Sequence, residues 1–366
     1  MPHPSKTLII EPERTNHPAI TFCEQFLGGA KPRYVFGCNA WGRSIAQQVL
    51  IDGFIDDVVQ ERYFCDKPVL RSAEVPEEAM VVSAVVGERP LTALSRIREL
   101  GWTGLDYFAF QKHSGLPLND VLSLGDFECD FLANRGHYDW LSARLQDAES
   151  RQILNQLINF RLSRDLGFME GFVDAQDRQY FEPFLELQSS GETFLDVGCF
   201  DGYTSMEFIK RCPGYQDIHV FEPETANMEN VKHRLADYPK VHFHPYGASE
   251  RHQTLRFKAA GSASVLSEDG ELAVEVKRID DVIRGPYSFL KMDIEGGEIA
   301  ALKGAAQTIA HYHPRLAISV YHKADDLWRI PQLILEWRDD YDLYLRHYTE
   351  GVTETVMFFV PRSSSS

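Results

Sequence analysis

Short apolar segments alternate with amphipathic ones along the second half of the chain. Residues 194–197 and 289–292 are mainly apolar, with one charged residue each, and each segment precedes a stretch in which apolar residues recur at helical spacing. Strands that alternate with helices predict a mostly parallel sheet with helical crossovers. The chain closes with two further apolar segments, 341–347 and 353–360, joined by a short turn, which predict an antiparallel hairpin.

A similar but less regular alternation precedes this region. It predicts strands at 34–36, 54–55, 80–86 and 104–110 and helices at 43–49 and 91–100. Between the two regions, residues 147–166 carry apolar positions at helical spacing, which predicts helices that bridge two sheets. Later in the chain we expect a hairpin insert, made of 254–257 and 273–277 around Gly261, and one continuous helix over 298–311.

These elements predict an α/β fold with two Rossmann-like units of unequal size. The larger unit is expected to be a mostly parallel seven-stranded sheet whose last strand is antiparallel. The predicted ranges are an N-terminal extension (1–30), a small Rossmann-like α/β domain (31–114), a helical bridge (115–189), the larger α/β domain (190–361) and a disordered tail (362–366).

Charge and cysteine usage narrow the classes of partner. The 366 residues include 37 Lys and Arg against 54 Asp and Glu, a formal net charge of −17. Binders of nucleic acid or anionic membranes carry clustered basic residues, so we expect neither partner. No apolar run reaches the roughly 20 residues that a bilayer requires, and the N-terminus does not resemble a signal peptide. The six cysteines form no C-x-x-C pair, so we expect free thiols, no zinc site and a cytoplasmic location.

The segment from Asp196 to Gly202 reads as a strand that ends in an acid and turns through glycine into a helix. Open parallel sheets bind ligands outside the carboxyl ends of their strands. Gly198 allows close approach of the backbone to such a ligand, and Asp196 could bond the amino group of a methionine moiety. Phe200 stands where a dinucleotide fingerprint has its second glycine and would crowd a pyrophosphate. With Cys199, these residues form the candidate cofactor loop.

The next predicted strand is followed by Glu222 and Pro223. A carboxylate at this position can accept both hydroxyls of a ribose in a charge-assisted, bidentate arrangement. Glu222 lies about 20 residues after Gly202, which is about the length of one helix and one strand. We therefore predict that Glu222 binds the ribose of an adenosine and that Pro223 and Ala248 also contact the cofactor.

Three acids follow the fourth strand of the larger unit: Asp293, Glu295 and Glu298. Because buried charge is costly, we expect these acids to face a cleft at the ligand-binding edge. Asp293, Glu295 and His322, the last just beyond the fifth strand, are the candidate catalytic residues, with Asp293 or His322 favoured as general base. A divalent metal between Asp293 and Glu295 is a lesser alternative, so no metal is predicted.

Four segments of the larger unit carry a family resemblance. Residues 194–202, 221–223 and 291–298, followed by 302–304, resemble the FkbM-type methyltransferase family. The resemblance covers roughly 177–360, and the K-x-D-x-E-G-x-E pattern is its most specific part. It implies a Rossmann-like class I methyltransferase domain, S-adenosylmethionine as cofactor and methyl transfer.

In that family the methyl group usually goes to an oxygen, often of a sugar or a natural product. The resemblance therefore implies O-methylation of a sugar, glycan or related small-molecule hydroxyl, and a role in polysaccharide biosynthesis. Residues 199–201 depart from the small and amide residues more often seen in the family, which leaves the detail of the cofactor contacts open. The sequence does not identify the acceptor and leaves a homo-oligomer open.

The smaller unit contains Gly37, Asn39 and Gly42, a degenerate dinucleotide motif with Asn39 in place of the middle glycine. With 54–57 and 67–70, this unit resembles the small nucleotide-sugar-binding domains that precede some sugar acyltransferases. The resemblance implies a nucleotide or sugar-nucleotide site, while a structural or dimerising role fits equally well. Two rival functions stay open: a nicotinamide-dependent oxidoreductase that uses this unit, and a non-catalytic binding or scaffold protein.

Overall fold

A computed structural model of the chain contains two α/β units, each built on its own main sheet, with two long helices between them. The predicted α/β fold class is therefore confirmed. The predicted turn at Gly261 and most of the predicted tail, 363–366, lie outside the described residues. No helix in the described part of the chain is both long and apolar enough to cross a membrane. The described residues are 8–11, 16–260, 263–266 and 272–362.

The smaller sheet has six strands. These are β1 Arg33–Phe36, β2 Gly53–Ile55, β3 Tyr63–Phe64, β4 Lys67–Leu70, β5 Met80–Ser83 and β6 Thr103–Asp106. Their spatial order is β3-β4-β2-β1-β5-β6, and every pair is parallel except β3 with β4. Val35 and Val82 in its centre are fully buried, as expected for a parallel sheet covered on both faces. The helices of this unit are α1 His17–Gly28, α2 Ala40–Gln48, α3 Pro90–Glu99 and α4 Tyr107–Ser114.

The predicted strand over 104–110 is wrong in its second half. Strand β6 ends at Asp106, and the next residues form the first turn of α4. The Asp106 carboxylate accepts a hydrogen bond from the Ala109 amide at 2.9 Å and thereby caps the helix. Because Tyr107 to Phe110 are all buried, this turn lacks the polar positions that mark an amphipathic helix, and its apolar run resembled a strand.

Two long helices, α5 Phe127–Arg144 and α6 Ala148–Ser163, lie between the sheets. The second agrees with the helix predicted over 147–166 and buries Leu154 and Leu157. Its Ser150 hydroxyl accepts a hydrogen bond from the Leu345 amide at 2.9 Å, which ties the helix to the larger sheet.

The larger sheet has the seven strands that the sequence predicts. These are β7 Thr193–Val197, β8 Asp217–Phe221, β9 Val241–His244, β14 Phe289–Met292, β15 Arg315–Ser319, β16 Tyr341–His347 and β17 Thr355–Pro361. Their spatial order is β16-β17-β15-β14-β7-β8-β9. Every pair is parallel except those of β17, which is antiparallel to both neighbours as predicted. The first strand, β7, therefore lies between β8 and β14, and the loops after these three strands emerge side by side.

The helices of the larger unit differ from prediction at two places. They are α7 Tyr203–Arg211, α8 Thr225–Arg234, α9 Ile279–Val282, α10 Glu298–Lys303, α11 Ala306–Tyr312 and α12 Asp326–Trp337. The short helix α9 was not predicted. The single helix predicted over 298–311 is wrong, because the chain breaks it at Gly304. A Cβ atom on Gly304 would lie 2.0 Å from the Ser249 carbonyl oxygen, so only glycine fits this crossing. The Asp280 carboxylate then accepts the Thr308 amide at 2.9 Å near the start of α11.

The predicted two-stranded insert is part of a four-stranded sheet. Its strands are β10 Gly247–Ala248, β11 Gln253–Ala260, β12 Ala263–Leu266 and β13 Leu272–Lys277, in the order β10-β13-β11-β12. Strands β11 and β13 are antiparallel neighbours, as predicted, but β12 lies between them in sequence and pairs with β11. The sequence prediction therefore missed β12 and the short β10.

Candidate active site

The candidate cofactor and catalytic segments meet at one edge of the larger sheet. In the parallel register Val197 pairs with both Phe221 and Met292, the last residues of the two neighbouring strands. The residues that follow these strands therefore begin at the same height. This places the loop after β7 between Glu222 on one side and Asp293 on the other.

The loop from Gly198 to Gly202 is held by backbone contacts to its neighbours. The amides of Gly198 and Cys199 donate to the Phe221 carbonyl at 3.0 and 3.2 Å. Gly198 has φ +81°, and a Cβ atom there would lie 1.8 Å from the Asp293 carbonyl oxygen, so the position requires glycine. Phe200 also has positive φ, and its side chain is 66% exposed at the mouth of the loop.

A buried ion pair supports this loop from below. The Nζ of Lys291 lies 3.2 Å from Asp196 Oδ1 and donates to the Gly198 carbonyl at 2.6 Å. The Ser205 hydroxyl donates to the other Asp196 oxygen at 2.8 Å. Asp196 is fully buried and Lys291 nearly so, so the Asp196 carboxylate faces protein groups. Its predicted contact with a cofactor amino group stays a prediction, and what the structure places there is an anchor for Lys291.

Glu222 lies directly after β8 with its carboxylate turned toward the loop. One carboxylate oxygen accepts the Phe200 amide at 3.1 Å, and the other accepts the Glu224 amide at 2.8 Å. The side chain is 6% exposed, and this burial raises its pKa above the ordinary value. Pro223 follows it and lies against Gly247, which precedes the predicted cofactor residue Ala248 in β10.

The three acids after β14 converge on His322. The His322 Nε2 atom lies 3.4 Å from Asp293 Oδ1 and 3.5 Å from Glu295 Oε2, and Nδ1 lies 3.1 Å from Glu298 Oε1. Glu298 Oε1 also accepts the Ile294 amide at 2.9 Å. Burial alone would lower the pKa of His322, but the surrounding carboxylates outweigh it and raise the pKa to about 9. The structure thus brings all three predicted catalytic residues, Asp293, Glu295 and His322, into one cluster.

Tyr180, Tyr321, Gln179 and Glu354 extend this cluster. The Tyr180 hydroxyl donates to Asp293 Oδ2 at 2.7 Å, and the Tyr321 hydroxyl lies 3.4 Å from both Asp293 oxygens. Glu354 accepts hydrogen bonds from Gln179 and, at 3.5 Å, from Tyr321. Burial and the Asp293 charge raise the pKa of Glu354 to about 7. Sequence reasoning missed Glu354, which follows the family-like motifs, and did not include Tyr180 among the candidate catalytic or cofactor residues.

A cleft of about 290 Å³ opens above this arrangement. Of the predicted residues, Gly198, Cys199, Phe200 and Asp293 line it. The other predicted residues do not line it: Asp196, Gly202, Glu222, Pro223, Ala248, Glu295 and His322. Lys291 and Glu354 also line the cleft, so its wall combines polar and charged groups with the backbone of the glycine loop.

The turn that carries Glu354 contacts the smaller unit. The Glu350 amide donates to the Glu88 carbonyl at 2.8 Å, and the Glu350 carboxylate accepts the Thr92 amide at 2.7 Å. A Cβ atom on Gly351 would lie 1.8 Å from the Gly87 carbonyl oxygen, so the two backbones are in close contact. One wall of the cleft therefore continues into a loop of the N-terminal unit.

The degenerate glycine motif of the smaller unit serves its fold. Asn39 Oδ1 accepts the Gly42 amide at 2.9 Å as the N-cap of α2, and its Nδ2 donates to the Ala84 carbonyl at 2.9 Å. A Cβ atom on Gly42 would lie 2.6 Å from the Gly37 carbonyl oxygen. Asn39 and Gly42 are thus explained by capping and packing, and a nucleotide site in this unit stays a prediction.

The seven-stranded order, with a glycine loop after β7 and acids after β8 and β14, defines the class I methyltransferase fold. Residues 196–348 match the family model of the methyltransferase FkbM domain. These residues therefore form an FkbM-type methyltransferase domain, as the sequence resemblance implied. No curated protein gives a significant match.

One solved structure shares the fold of the chain, and others are similar to part of it. The methyltransferase FkbM from Methylobacillus flagellatus KT is 23% identical with a TM-score of 0.76, and the match covers 97% of this chain and 94% of that one. An rRNA methylase from Streptococcus thermophilus is 11% identical with a TM-score of 0.34, covering 56% and 96%. Aeropyrum pernix fibrillarin in complex with natively bound S-adenosyl-L-methionine is 10% identical with a TM-score of 0.31, covering 47% and 67%. The first match spans both units, so their combined fold occurs in that protein too.

Proposed function

We propose that the protein is an S-adenosylmethionine-dependent O-methyltransferase that acts on a hydroxyl of a sugar, a glycan or a related small molecule. The observation that carries the proposal is the position of the Glu222 carboxylate beside the glycine loop, at the end of the strand next to β7. Acids at this place in an open parallel sheet bind the ribose of an adenosine. The FkbM domain supports methyl transfer as the reaction.

The residues around the loop fit this cofactor. Each Glu222 oxygen accepts a hydrogen bond from one backbone amide, while a carboxylate has about four acceptor sites in all. The spare acceptor sites can take two ribose hydroxyls, and donors of this kind would stabilise a charge that burial disfavours. Phe200 stands where a dinucleotide site has the glycine that makes room for a pyrophosphate. S-adenosylmethionine has no pyrophosphate and does not need that room.

The cofactor supplies a methyl group that is already activated by its sulfonium, so the protein's part is mainly to hold the acceptor in line. Fixed orientation of this kind is worth about 7–11 kcal/mol at best. Lys291 and Asp196 fix the glycine loop from below, and Asp293 and Glu354 border the cleft where the acceptor would lie. The loop and these two acids therefore set the distance between donor and acceptor.

The acceptor hydroxyl loses its proton during the transfer, which calls for a base at the cleft. Asp293 and Glu354 are the two of the candidate carboxylates that line it. Glu295 has a side chain that is 67% exposed, and the His322 side chain is 2% exposed behind Asp293. We therefore assign the role of general base, which accepts this proton, to the pair formed by Asp293 and Glu354.

The cleft wall favours a polyhydroxyl acceptor. Gln176, Gln179 and Glu354 contribute amide and carboxylate groups to this wall. Such groups recognise hydroxyls by hydrogen bonds, and they reject apolar acceptors because their own hydrogen bonds would then stay unmade.

Calorimetric titration with S-adenosylhomocysteine tests the cofactor assignment. The wild-type chain is expected to bind at one site, and Glu222→Ala is expected to lose most of the affinity because the ribose hydroxyls lose their acceptor. Glu224→Ala is the matched control, since the exposed Glu224 side chain contacts Asn227 rather than the loop. Absence of binding to folded wild-type protein would overturn the proposal and favour a scaffold protein.

A further inference from the structure

We infer that Asp293, Glu298 and His322 form a binding site for one divalent metal ion at the inner end of the cleft. One potential ligand atom from each of these residues lies within 4.8 Å of the other two. Ligand atoms around a single divalent ion stand about 3–4.5 Å apart, because each lies about 2.0–2.4 Å from it. The three groups are therefore close enough together to share one ion.

Unmet bonding capacity is the second, independent observation. Glu298 is fully buried and His322 is 5% exposed. Glu298 Oε2 has no hydrogen-bond partner, and neither ring nitrogen of His322 makes a well-directed hydrogen bond despite the nearby carboxylates. Buried polar atoms are almost always satisfied, and buried carboxylates are otherwise paired or bound to metal.

The local charge also calls for a cation. Asp293, Glu295 and Glu298 surround a single imidazole, and within the described residues no lysine or arginine forms an ion pair with them. A proton on His322 supplies one positive charge against three negative ones. A divalent ion bound by a neutral imidazole supplies two, and it also occupies the lone pairs that are otherwise unused.

The ligand set defines the class of ion. Two carboxylates and one imidazole suit a divalent ion that accepts oxygen and nitrogen together, such as Mn²⁺. The exposed Glu295 carboxylate lies 3.5 Å from His322 Nε2 and is close enough to serve as a further ligand after a small rotation.

The site would act on the acceptor. Asp293 lines the cleft, so an ion bound to it has a coordination position on the side where the acceptor lies. An acceptor hydroxyl bound to the ion would become more acidic and would pass its proton to Glu354, because Asp293 would be bound to the ion. Its oxygen would be fixed for attack on the methyl group. This last step rests on the proposed function, whereas binding of the ion does not.

Manganese binding to the purified full-length chain tests the inference. The protein is stripped with a chelator and titrated with MnCl₂ at about pH 8, where competition by protons is reduced, with free Mn²⁺ measured by electron paramagnetic resonance. One equivalent per chain is expected to bind, and nitrogen modulation in the electron spin echo is expected from a coordinated imidazole. His322→Ala and Glu298→Gln are each expected to lower the affinity at least about tenfold.

His242→Gln is the matched control. It removes an imidazole on the outer strand β9 that forms an ion pair with Asp217 of β8. It is expected to leave manganese binding unchanged. Absence of nitrogen modulation in the wild-type chain would overturn the inference, and this result does not depend on how well any variant folds. Equal affinity in folded wild-type and His322→Ala protein would overturn it as well. Since manganese is measured without S-adenosylhomocysteine, failure of cofactor binding would contradict the proposed function alone.

Discussion

Lys291 stands directly opposite Asp196 in the parallel register of β14 and β7, and the two side chains form a buried ion pair at 3.2 Å. The same ammonium group donates to the Gly198 carbonyl at 2.6 Å. The lysine of the K-x-D-x-E-G-x-E pattern therefore has a structural role. It links the fourth strand to the loop after the first, so the two candidate motifs are held as one unit.

Removing the lysine alone is expected to be costly. Lys291→Met leaves the fully buried Asp196 without its counter-charge, and such losses cost about 3–5 kcal/mol. The double variant Lys291→Met, Asp196→Asn is expected to recover part of this loss, because no unpaired charge remains. Urea unfolding at neutral pH measures both. Loss of a surface ion pair usually changes the free energy of unfolding by less than about 1 kcal/mol. A change that small in Lys291→Met would contradict the prediction.

Gly198→Ala is expected to destabilise the chain and disturb the loop. The added Cβ would lie 1.8 Å from the Asp293 carbonyl oxygen, and positive φ costs a non-glycine residue about 1–3 kcal/mol before that clash is counted. Thermal unfolding should show a lower midpoint. Gly136→Ala is the control: nothing lies within 4 Å of its added Cβ, and alanine favours the interior of α5 by about 0.8–1.0 kcal/mol. Equal effects of the two variants would refute the steric argument.

Tyr180→Phe is expected to keep the fold and loosen Asp293. The tyrosine hydroxyl donates to the Asp293 carboxylate at 2.7 Å, and hydrogen bonds to charged groups contribute about 1.5–3 kcal/mol. We expect a loss in unfolding free energy within that range, measured by urea denaturation. Tyr203→Phe, at a ring that is 45% exposed, should change stability little. A Tyr180→Phe chain as stable as the Tyr203→Phe control would show that the bond contributes nothing.

Two neighbouring histidines on β8 and β9 are expected to make stability fall in mild acid. Burial, with repulsion from other imidazoles, lowers the pKa of His219 and His244 to about 4 from 6.5. The folded chain therefore keeps both neutral while the unfolded chain takes up protons below pH 6.5. Their contribution to the free energy of unfolding is complete above about pH 6.5 and is lost as the pH falls through about 4.

The variant His244→Phe tests this dependence, since its ring can keep the stack on Phe221, whose centroid lies 4.4 Å away. Between about pH 7 and pH 4, the unfolding free energy of the wild type should fall more steeply than that of the variant. A difference that stays constant across this range would show that His244 does not titrate as described.

The sequence predicted the seven strands of the larger sheet because each is a short apolar run between polar turns. It failed where tertiary contacts decide the local structure. The helix over 298–311 is broken by the crossing of Gly304 with Ser249, which lies more than fifty residues earlier and has no local signal. The first turn of α4 is buried all round, so the period that marks a helix is absent.

Site residues that directly follow a strand end were predictable from the sequence. Site residues that reach the cleft from other parts of the chain were not. Glu222 and Asp293 come directly after the two strands that flank β7, and the topology alone places them on either side of the glycine loop. Tyr180 precedes the sheet and Glu354 lies in its last hairpin, so their approach to Asp293 depends on packing. The ion pair of Lys291 with Asp196 depends on the register of β14 against β7, which the sequence does not specify.

The contact of Gly351 with Gly87 has a consequence for how the chain can diverge. The hairpin that carries Glu354 is pinned at its tip by a loop of the N-terminal unit, through the Thr92 and Glu88 backbone. Changes in that loop would tilt the hairpin and reshape the acceptor side of the cleft while the glycine loop and Glu222 keep their places. Acceptor preference could in this way drift through substitutions in residues 86–92, far from the motifs by which the domain is recognised.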